Sequence, residues 1–289
     1  MESTPLVSVC IPTYNGAKFI EAALDSVLEQ TYSNIEIIVS DDTSNDQTLE
    51  LIKSYIPKTK FPITIHSNDT RGIGYNWNNC MKYANGDFIK FLFQDDIMMP
   101  DCVAEMVKGF HLVPQAGLVA CKRSFIVDEN VNSKSVDDWL EVYGDLQQHL
   151  NLDYNPVAVI TKSIFKSDKF YSAPVNFVGE PTAVMFKRDL IKTLGWFRND
   201  LNQFLDFEYW FRILKEMPIV IIDKKLIEFR IHQNQATQQN KGKMANDVAV
   251  FKRILYKDYF WLLSRYRKKQ LFLEFNPIGV FLSKVFGYK

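Results

Sequence analysis

Two pairs of adjacent carboxylates close apolar runs in this chain. Asp41-Asp42 ends "IEIIVSDD", and Asp95-Asp96 ends "FIKFLFQDD". Like charges repel and lose hydration at the edge of a core, so an acid pair there calls for a compensating partner. Hard divalent cations such as Mg2+ or Mn2+ are suited to that place. They take carboxylate oxygens and share their remaining positions with substrate phosphates. The plainer alternative is that each pair caps a helix or meets a surface Lys or Arg. The chain has no GxxxxGK[ST] phosphate loop and no GxGxxG after its first apolar run, which argues against a P-loop enzyme or a nicotinamide dehydrogenase.

The elements that must position these acids follow from periodicity. "LVSVCIP" (Leu6–Pro12), "IEIIVSDD" (Ile35–Asp42), "FPITIHS", Asp87–Gln94 and "AGLVAC" read as strands. Helices are expected between them. One repeats Phe19-Ile20, Ala23-Leu24 and Val27-Leu28, and another follows Asn45 or Asp46 as N-cap. Two more are expected over 73–84 and from Pro100 to about Val113. Such alternation predicts a mostly parallel sheet with helices on both faces, whose ligands bind beyond the carboxyl ends of the strands. Farther on, "EPTAVMF" (Glu180–Phe186), "IVIID" and "LIEFRIH" read as strands. "KRDLIKTLGWF" reads as a helix closed by Gly195, "LDFEYWFRILKE" as another, and about Asn246 to Leu273 as one long helix.

The 289 residues carry 34 basic and 34 acidic side chains, and the zero net charge gives no general argument for nucleic-acid binding. The charge is unevenly spread. Residues 241–289 hold 11 Lys/Arg against 3 Asp/Glu, a net +8 that leaves −8 on the first 240. Within that tail "RYRKKQLFLEF" mixes cations with aromatics and Leu. It reads either as a helix packed on the body or as a membrane-surface element. The N-terminal stretch lacks the features of a signal peptide, and no apolar run approaches the roughly 20 residues of a membrane span. Cys10, Cys80, Cys102 and Cys121 lack metal-like spacing and read as free thiols of a cytoplasmic protein.

Three stretches together resemble family 2 glycosyltransferases. "VSVCIPTYNGAKFIEAALDSVLEQTYSNIEIIVSDDTSNDQT" looks like their nucleotide-binding half, and "FLFQDDIMMP" looks like their DXD-type metal motif. "NQFLDFEYWFRIL" looks like the later acidic helix that carries the catalytic base. The resemblance runs over roughly residues 5–235. It implies a GT-A fold with a nucleotide-sugar half at about 1–122 and an acceptor half at about 123–240. Residues 241–289 would then be a basic, aromatic C-terminal helical extension.

The resemblance also implies roles. Pro12 and Tyr14 would line the base and ribose, Asp42 would accept from a uracil-type N3–H, and Asn78 would face the nucleotide. Asp95 would contact the ribose and Asp96 would coordinate Mn2+ or Mg2+. Asp206 would be the base. Arg212 would orient acids or phosphate or else form a core-face salt bridge, and His232, in "FRIHQNQAT", would be a metal ligand or a structural hydrogen-bonder. Glu180 would orient the acceptor. The chain departs from the pattern at Phe93, where relatives often carry an acid, at Leu205, where they often carry Glu, and at Trp77, where a basic residue is common.

The implied activity is metal-dependent, inverting transfer from a UDP- or dTDP-sugar to a hydroxyl of a glycan or lipid-linked acceptor. The implied setting is cell-surface polysaccharide synthesis, in the cytoplasm, with the basic tail as the element that would reach the inner face of the plasma membrane. Two alternatives are a nucleotidyltransferase, which would want a Gly-rich basic loop that "PTYNGAKF" lacks, and a non-catalytic nucleotide-sugar or glycan-binding module.

Overall fold

The computed structural model describes residues 4–233, 235 and 241–287. Part of "FRIHQNQAT", at 234 and 236–237, and the last two residues of the extension lie outside the described residues. The strands are β1 (Val7–Thr13), β2 (Ile35–Asp41), β3 (Ile63–Ser67), β4 (Phe88–Phe91), β5 (Ile97–Met98), β6 (Leu118–Val127), β7 (Ala158–Ile160), β8 (Val184–Lys187) and β9 (Ile219–Ile231). They form one sheet in the order β3-β2-β1-β4-β8-β6-β9-β5, with β7 paired to β9. The first four positions are parallel. Beyond β4 the sheet is mixed: β8 runs antiparallel to both β4 and β6, while β6 and β9 are parallel.

Side chains alternate across the strands and build a core on each face. Val9, Ile11, Ile37 and Val39 point to the face covered by α1 (Ile20–Leu28), α2 (Thr48–Tyr55) and α4 (Cys102–Leu112). Cys10, Ile38, Ile89 and Phe91 point to the other face. There they meet α3 (Ile73–Tyr83) and α7 (Leu205–Glu216), and the short α6 (Leu190–Leu194) adjoins them. The amphipathic α5 (Ser133–Tyr143) follows β6. Chain order reverses at β1, whose neighbours are β2 and β4, which is where α/β sheets open a binding crevice. The two acid pairs therefore flank β1 and are not on neighbouring strands.

Several expected boundaries differ. "IVIID" and "LIEFRIH" are one 13-residue strand, β9, and β6 keeps pace with it through register shifts at Cys121–Arg123. Pro181–Ala183 forms a 3-10 turn, so the strand expected from Glu180 starts at Val184. The long C-terminal helix is broken into pieces. α8 (Met244–Ile254) runs into a π turn over Leu255–Tyr259 and a 3-10 turn over Phe260–Leu262. Ser264 then starts α9 (Arg265–Phe275) by accepting from the Arg267 N–H. Asn276 caps α10 (Pro277–Phe286), whose proline occupies the first turn. The apolar repeat runs straight across these start signals, which is why periodicity alone merges the pieces.

The extension is not loose. Phe251 of α8 is fully buried among Tyr171, Phe204, Phe207 and Phe211. Asp247, also fully buried, accepts from the backbone N–H groups of Asn202, Gln203 and Phe204, just ahead of α7. The extension thus braces the helix that carries Asp206.

Candidate active site

The loop after β1 is fixed from the Asp95-Asp96 side. Gln94 Oε1 accepts from the Tyr14 N–H at 2.9 Å and Gln94 Nε2 donates to Tyr14 O at 3.0 Å. Gly16 is needed here, because a Cβ would lie 2.2 Å from the Gln94 amide. Tyr14 itself is 49% exposed beside this clasp, whereas Pro12 is buried within β1. Asp41 serves the scaffold: it accepts from Thr13 Oγ1 at 2.9 Å and from Ser44 Oγ and N–H. Asp42 accepts from Asn68 Nδ2 at 2.8 Å and from the Gly72 N–H at 3.0 Å, one donor per oxygen. A carboxylate has about four acceptor positions, so Asp42 is oriented and still able to accept from a ligand.

Asp95 and Asp96 lie in the turn between β4 and β5, and β5 pins that turn to β9 through Ile97 opposite Glu228 and Met98 opposite Ile227. Asp95 Oδ2 meets His232 Nε2 at 2.9 Å, and the His232 ring tilts against Phe19. Asp96 is 1% exposed. Its Oδ1 accepts from the Arg230 N–H at 3.0 Å, while Oδ2 has no hydrogen-bond partner among the described residues. Burial, and next the charge of Asp95, push the Asp96 carboxyl well above the usual range. The Arg230 N–H, the nearby Thr182 hydroxyl and Lys90 pull the other way. Thr182 Oγ1 stands beside Asp96 without a well-formed hydrogen bond to it.

Cations surround this acid. Lys90, fully buried in β4, donates to Phe91 O at 2.7 Å and to Thr182 O. Arg230 Nε donates to Asp95 O at 2.9 Å. Arg123 is buried between the rings of Phe125, Trp139 and Phe229, donates to Tyr143 O and pairs with Glu180. Burial pushes the Arg123 guanidinium down to about 9, with Asp96 the largest influence in the opposite direction.

Asp206 stands in the first turn of α7, 8% exposed. Phe207, Trp210, Phe211 and Leu214 bury the helix and hold it rigidly. Oδ1 accepts from the Phe207 N–H at 2.7 Å and Oδ2 from Asn176 Nδ2 at 2.9 Å. Burial pushes the carboxyl up to about 7, against the pull of the Phe207 and Asp206 N–H groups. The segment 176–182 runs from Asp206 to Thr182 beside Asp96, and six residues span at most roughly 20 Å. The two acids therefore share one region of the molecule.

Three expected site residues are tied into the scaffold. Arg212 donates to Leu194 O at 2.5 Å, to Trp196 O at 2.8 Å and to Glu208 at 3.0 Å, and it stacks on Tyr209. Those bonds tie α7 to the end of α6 and pair the guanidinium with an acid, Glu208. Asn78 exchanges a pair of bonds with the Phe197 backbone, each 2.9 Å, so its amide locks that loop in place of facing a nucleotide. Glu180 is neutralised by Arg123 and is not free to orient an acceptor. The sequence pattern does not single out Lys90, Gln94, Arg123, Asn176, Thr182 or Arg230. Of these, Lys90 alone carries a visible signal, a cation inside the apolar run "FIKFLF".

No group of three or more His, Cys, Asp or Glu among the described residues is arranged to hold a metal by itself. The donor set still fits a divalent cation of the Mg2+ or Mn2+ kind. Such ions are commonly held by one or two carboxylates and completed by substrate phosphates, and Asp96 Oδ2 is a buried carboxylate oxygen with no hydrogen-bond partner among the described residues.

The chain is 30% identical over 227 residues to an uncharacterized protein of Mycobacterium tuberculosis, covering 77% of this chain and 66% of that one. It is 25% identical over 254 residues to an uncharacterized glycosyltransferase of Rickettsia typhi, covering 88% and 73%. The chain spans 36% of a Rickettsia felis relative, so it corresponds to a part of some of these proteins. Among solved structures, S. aureus TarS 1–349 in complex with UDP-GlcNAc superposes with a TM-score of 0.68 at 19% identity, covering 93% of this chain and 71% of that one. The mannosyltransferase PcManGT from Pyrobaculum calidifontis, in complex with GDP-Man and Mn2+, does so at 0.61 and 18%, covering 100% and 82%. Both share the GT-A fold of this chain. Residues 8–195 match the family described as Glycosyl transferase family 2, and the chain belongs to that family.

Proposed function

We propose that this chain transfers a sugar from a nucleoside-diphosphate donor to a hydroxyl acceptor, with Asp206 as general base and inversion at the anomeric carbon. The observation that carries the reading is Asp206 itself, a rigidly mounted carboxyl whose pKa of about 7 matches the pH at which it would work. Tyr14 and Asp42 bind the nucleoside, Asp42 accepting an N3–H of the uracil type, which favours a UDP- or dTDP-sugar. Asp95 reaches the ribose, with His232 holding it in orientation. Asp96 Oδ2 and the donor diphosphate would hold Mn2+ or Mg2+. When bound, the ion would act as a Lewis acid toward the negative charge that grows on the leaving diphosphate. Asp206 takes the proton of the acceptor hydroxyl as that oxygen attacks from the face opposite the leaving group. A single displacement of this kind inverts the configuration.

Residues 1–240 form the catalytic unit, with the donor half giving way to the acceptor half near residue 122. Residues 241–289 brace α7 from outside. We place the acceptor in the class of glycans or lipid-linked oligosaccharides made on the cytoplasmic side of a plasma membrane. Exposed apolar groups support contact with that surface, and apart from Tyr266 they lie outside the "RYRKKQLFLEF" segment. Trp261 is 81% exposed, and Ile278, Phe281 and Phe286 project from α10, while Leu271 of α9 is buried. Arg265, Lys268 and Lys269 of α9 supply the cations. No helix among the described residues is long and apolar enough to cross a membrane.

The direct test is a panel of nucleotide sugars with Mn2+, read by released nucleoside diphosphate and by the anomeric configuration of the product. Pyrophosphate release would instead identify a nucleotidyltransferase. Saturable binding of a nucleotide sugar without turnover on any acceptor would identify a binding module. Salt-sensitive binding to anionic but not neutral vesicles tests the membrane contact.

A further inference from the structure

Asp206 does not hold itself. Its Oδ2 accepts from Asn176 Nδ2, and the orientation of that amide is fixed on all sides. Asn176 Oδ1 accepts from the Gly179 N–H at 3.0 Å and the Val178 N–H at 3.2 Å, and Nδ2 also donates to Gly179 O at 3.1 Å. A flipped amide would lose all of these bonds, so a donor, not an acceptor, faces the carboxyl. Gly179 adopts φ +135, a conformation closed to most side chains, and its carbonyl also accepts from Trp210 Nε1 at 3.0 Å. Trp210 lies one turn beyond Asp206 on α7, so the loop is tied to the helix at two successive turns. At its other end the same segment carries Glu180, paired with Arg123, and Thr182, whose carbonyl receives Lys90.

We propose that Asn176 is the positioning residue of the base, and that the segment 176–182 fixes the place of Asp206 relative to Asp96. The proposal rests on the reading of Asp206 as the base. Asn176 donates to the ionised carboxylate and so favours the form that can accept a proton. Charged groups on the surrounding elements are each engaged elsewhere. Glu208 is held by Arg212, Glu180 by Arg123, and Asp247 by the backbone of 202–204. Burial dominates at Asp206 and no charged side chain offsets it, which leaves the Asn176 amide as the side-chain donor on this acid.

The test uses Asn176→Ser and Asn176→Asp in the full chain. A serine hydroxyl can still accept the Val178 and Gly179 N–H groups and keep the turn, but it is too short to reach Asp206. Aspartate keeps the turn as well and replaces the donor by a like charge. Expected for Asn176→Ser is a shift of the acid limb of kcat upward by about one pH unit. That is about a tenfold loss of turnover at pH 6 that vanishes near pH 9, with nucleotide affinity unchanged. Asn176→Asp should shift the limb farther. Carbon-13 titration of the Asp206 carboxyl should move in step in both variants, and this readout does not depend on activity. A loss equal at every pH, or an unmoved titration, overturns Asn176 as the positioning residue. A titration that moves while the acid limb stays put overturns Asp206 as the base, and the catalytic role of Asn176 with it.

Discussion

Asp96 and Asp206 are both buried carboxyls pushed up by desolvation, yet their surroundings are opposite in kind. Around Asp96 stand Lys90, Arg123 and the Arg230 backbone, with a second acid alongside and one oxygen left unbonded among the described residues. Around Asp206 stand aromatic rings, two backbone N–H groups and one amide, and no cation among the described residues. At Asp96 burial and the charge of Asp95 outweigh the compensating groups and hold the carboxyl above its usual range, and a bound cation would pull it back toward the ionised form. A site without charge lets the acid change protonation state near neutral pH. Under the proposed reading, two residues of one type take different tasks from their neighbours alone.

The largest effect that could break this contrast is on turnover. Asp206→Asn keeps shape and removes the proton acceptor, so turnover should fall by about 10² to 10⁴. Donor affinity should stay within a few-fold of the parent. Near-parental turnover would return Asp206 to the role of a helix-start residue, since Asn serves there equally well. Asp96→Ala should do the reverse on the binding side. It should remove the metal-dependent part of nucleotide affinity, by about 10- to 100-fold judged from the weight of residues supporting a bound metal. A chelator should have the same effect on the parent and little on the variant. Titration calorimetry with the nucleoside diphosphate, with and without Mn2+, reads this directly.

A smaller effect sharpens the charge side. Lys90→Met leaves Phe91 O and Thr182 O without their buried donor, which costs about 1 to 3 kcal/mol, partly offset because no ammonium is then buried. Urea unfolding at neutral pH should show the loss. The variant should also bind Mn2+-nucleotide more weakly, because Asp96 loses a neighbour that favours its ionised form. Unchanged stability and unchanged binding would mean that Lys90 is a spectator.

Much of the first 122 residues is legible in their order. β1, β2 and β3, the four helices of that stretch and the apolar face of α7 follow from periodicity. The acid pairs are conspicuous because carboxylates rarely end buried strands without a task. Periodicity does not carry the side-chain pairing across the fold. Glu208 and Arg212 stand at i,i+4 spacing and their pairing is legible, but the carbonyls of residues 194–197 that Arg212 and Asn78 also bind are announced by no local pattern. Asn176 lies in an irregular stretch whose order comes from a Gly179 turn and from Trp210, about thirty residues away in sequence. The helix breaks at Ser264 and Asn276 are visible as capping signals, yet the surrounding apolar repeat hides them.

The last effect is a linkage between stability and pH, and it reads the Asp206 carboxyl directly. The Asp206 carboxyl has a folded pKa of about 7 against an ordinary value of 3.8. Between those values the folded chain holds a proton that the unfolded chain has released. Stability therefore falls as pH rises through this window, and the slope disappears above about pH 7, where both states are ionised. Below about pH 4 both states are protonated and the burden is absent. Asp206→Asn carries no such group. Its stability relative to the parent should grow from about pH 4 to pH 7 and then level off. One pKa unit corresponds to about 1.4 kcal/mol, so the size of the change reads the folded pKa of Asp206. Denaturant midpoints at pH 4.5, 6, 7 and 8 measure it. A difference independent of pH would place the Asp206 carboxyl near its ordinary range. It would then lack the poise that distinguishes it from Asp96, and the contrast between the two sites would rest on the cations around Asp96 alone.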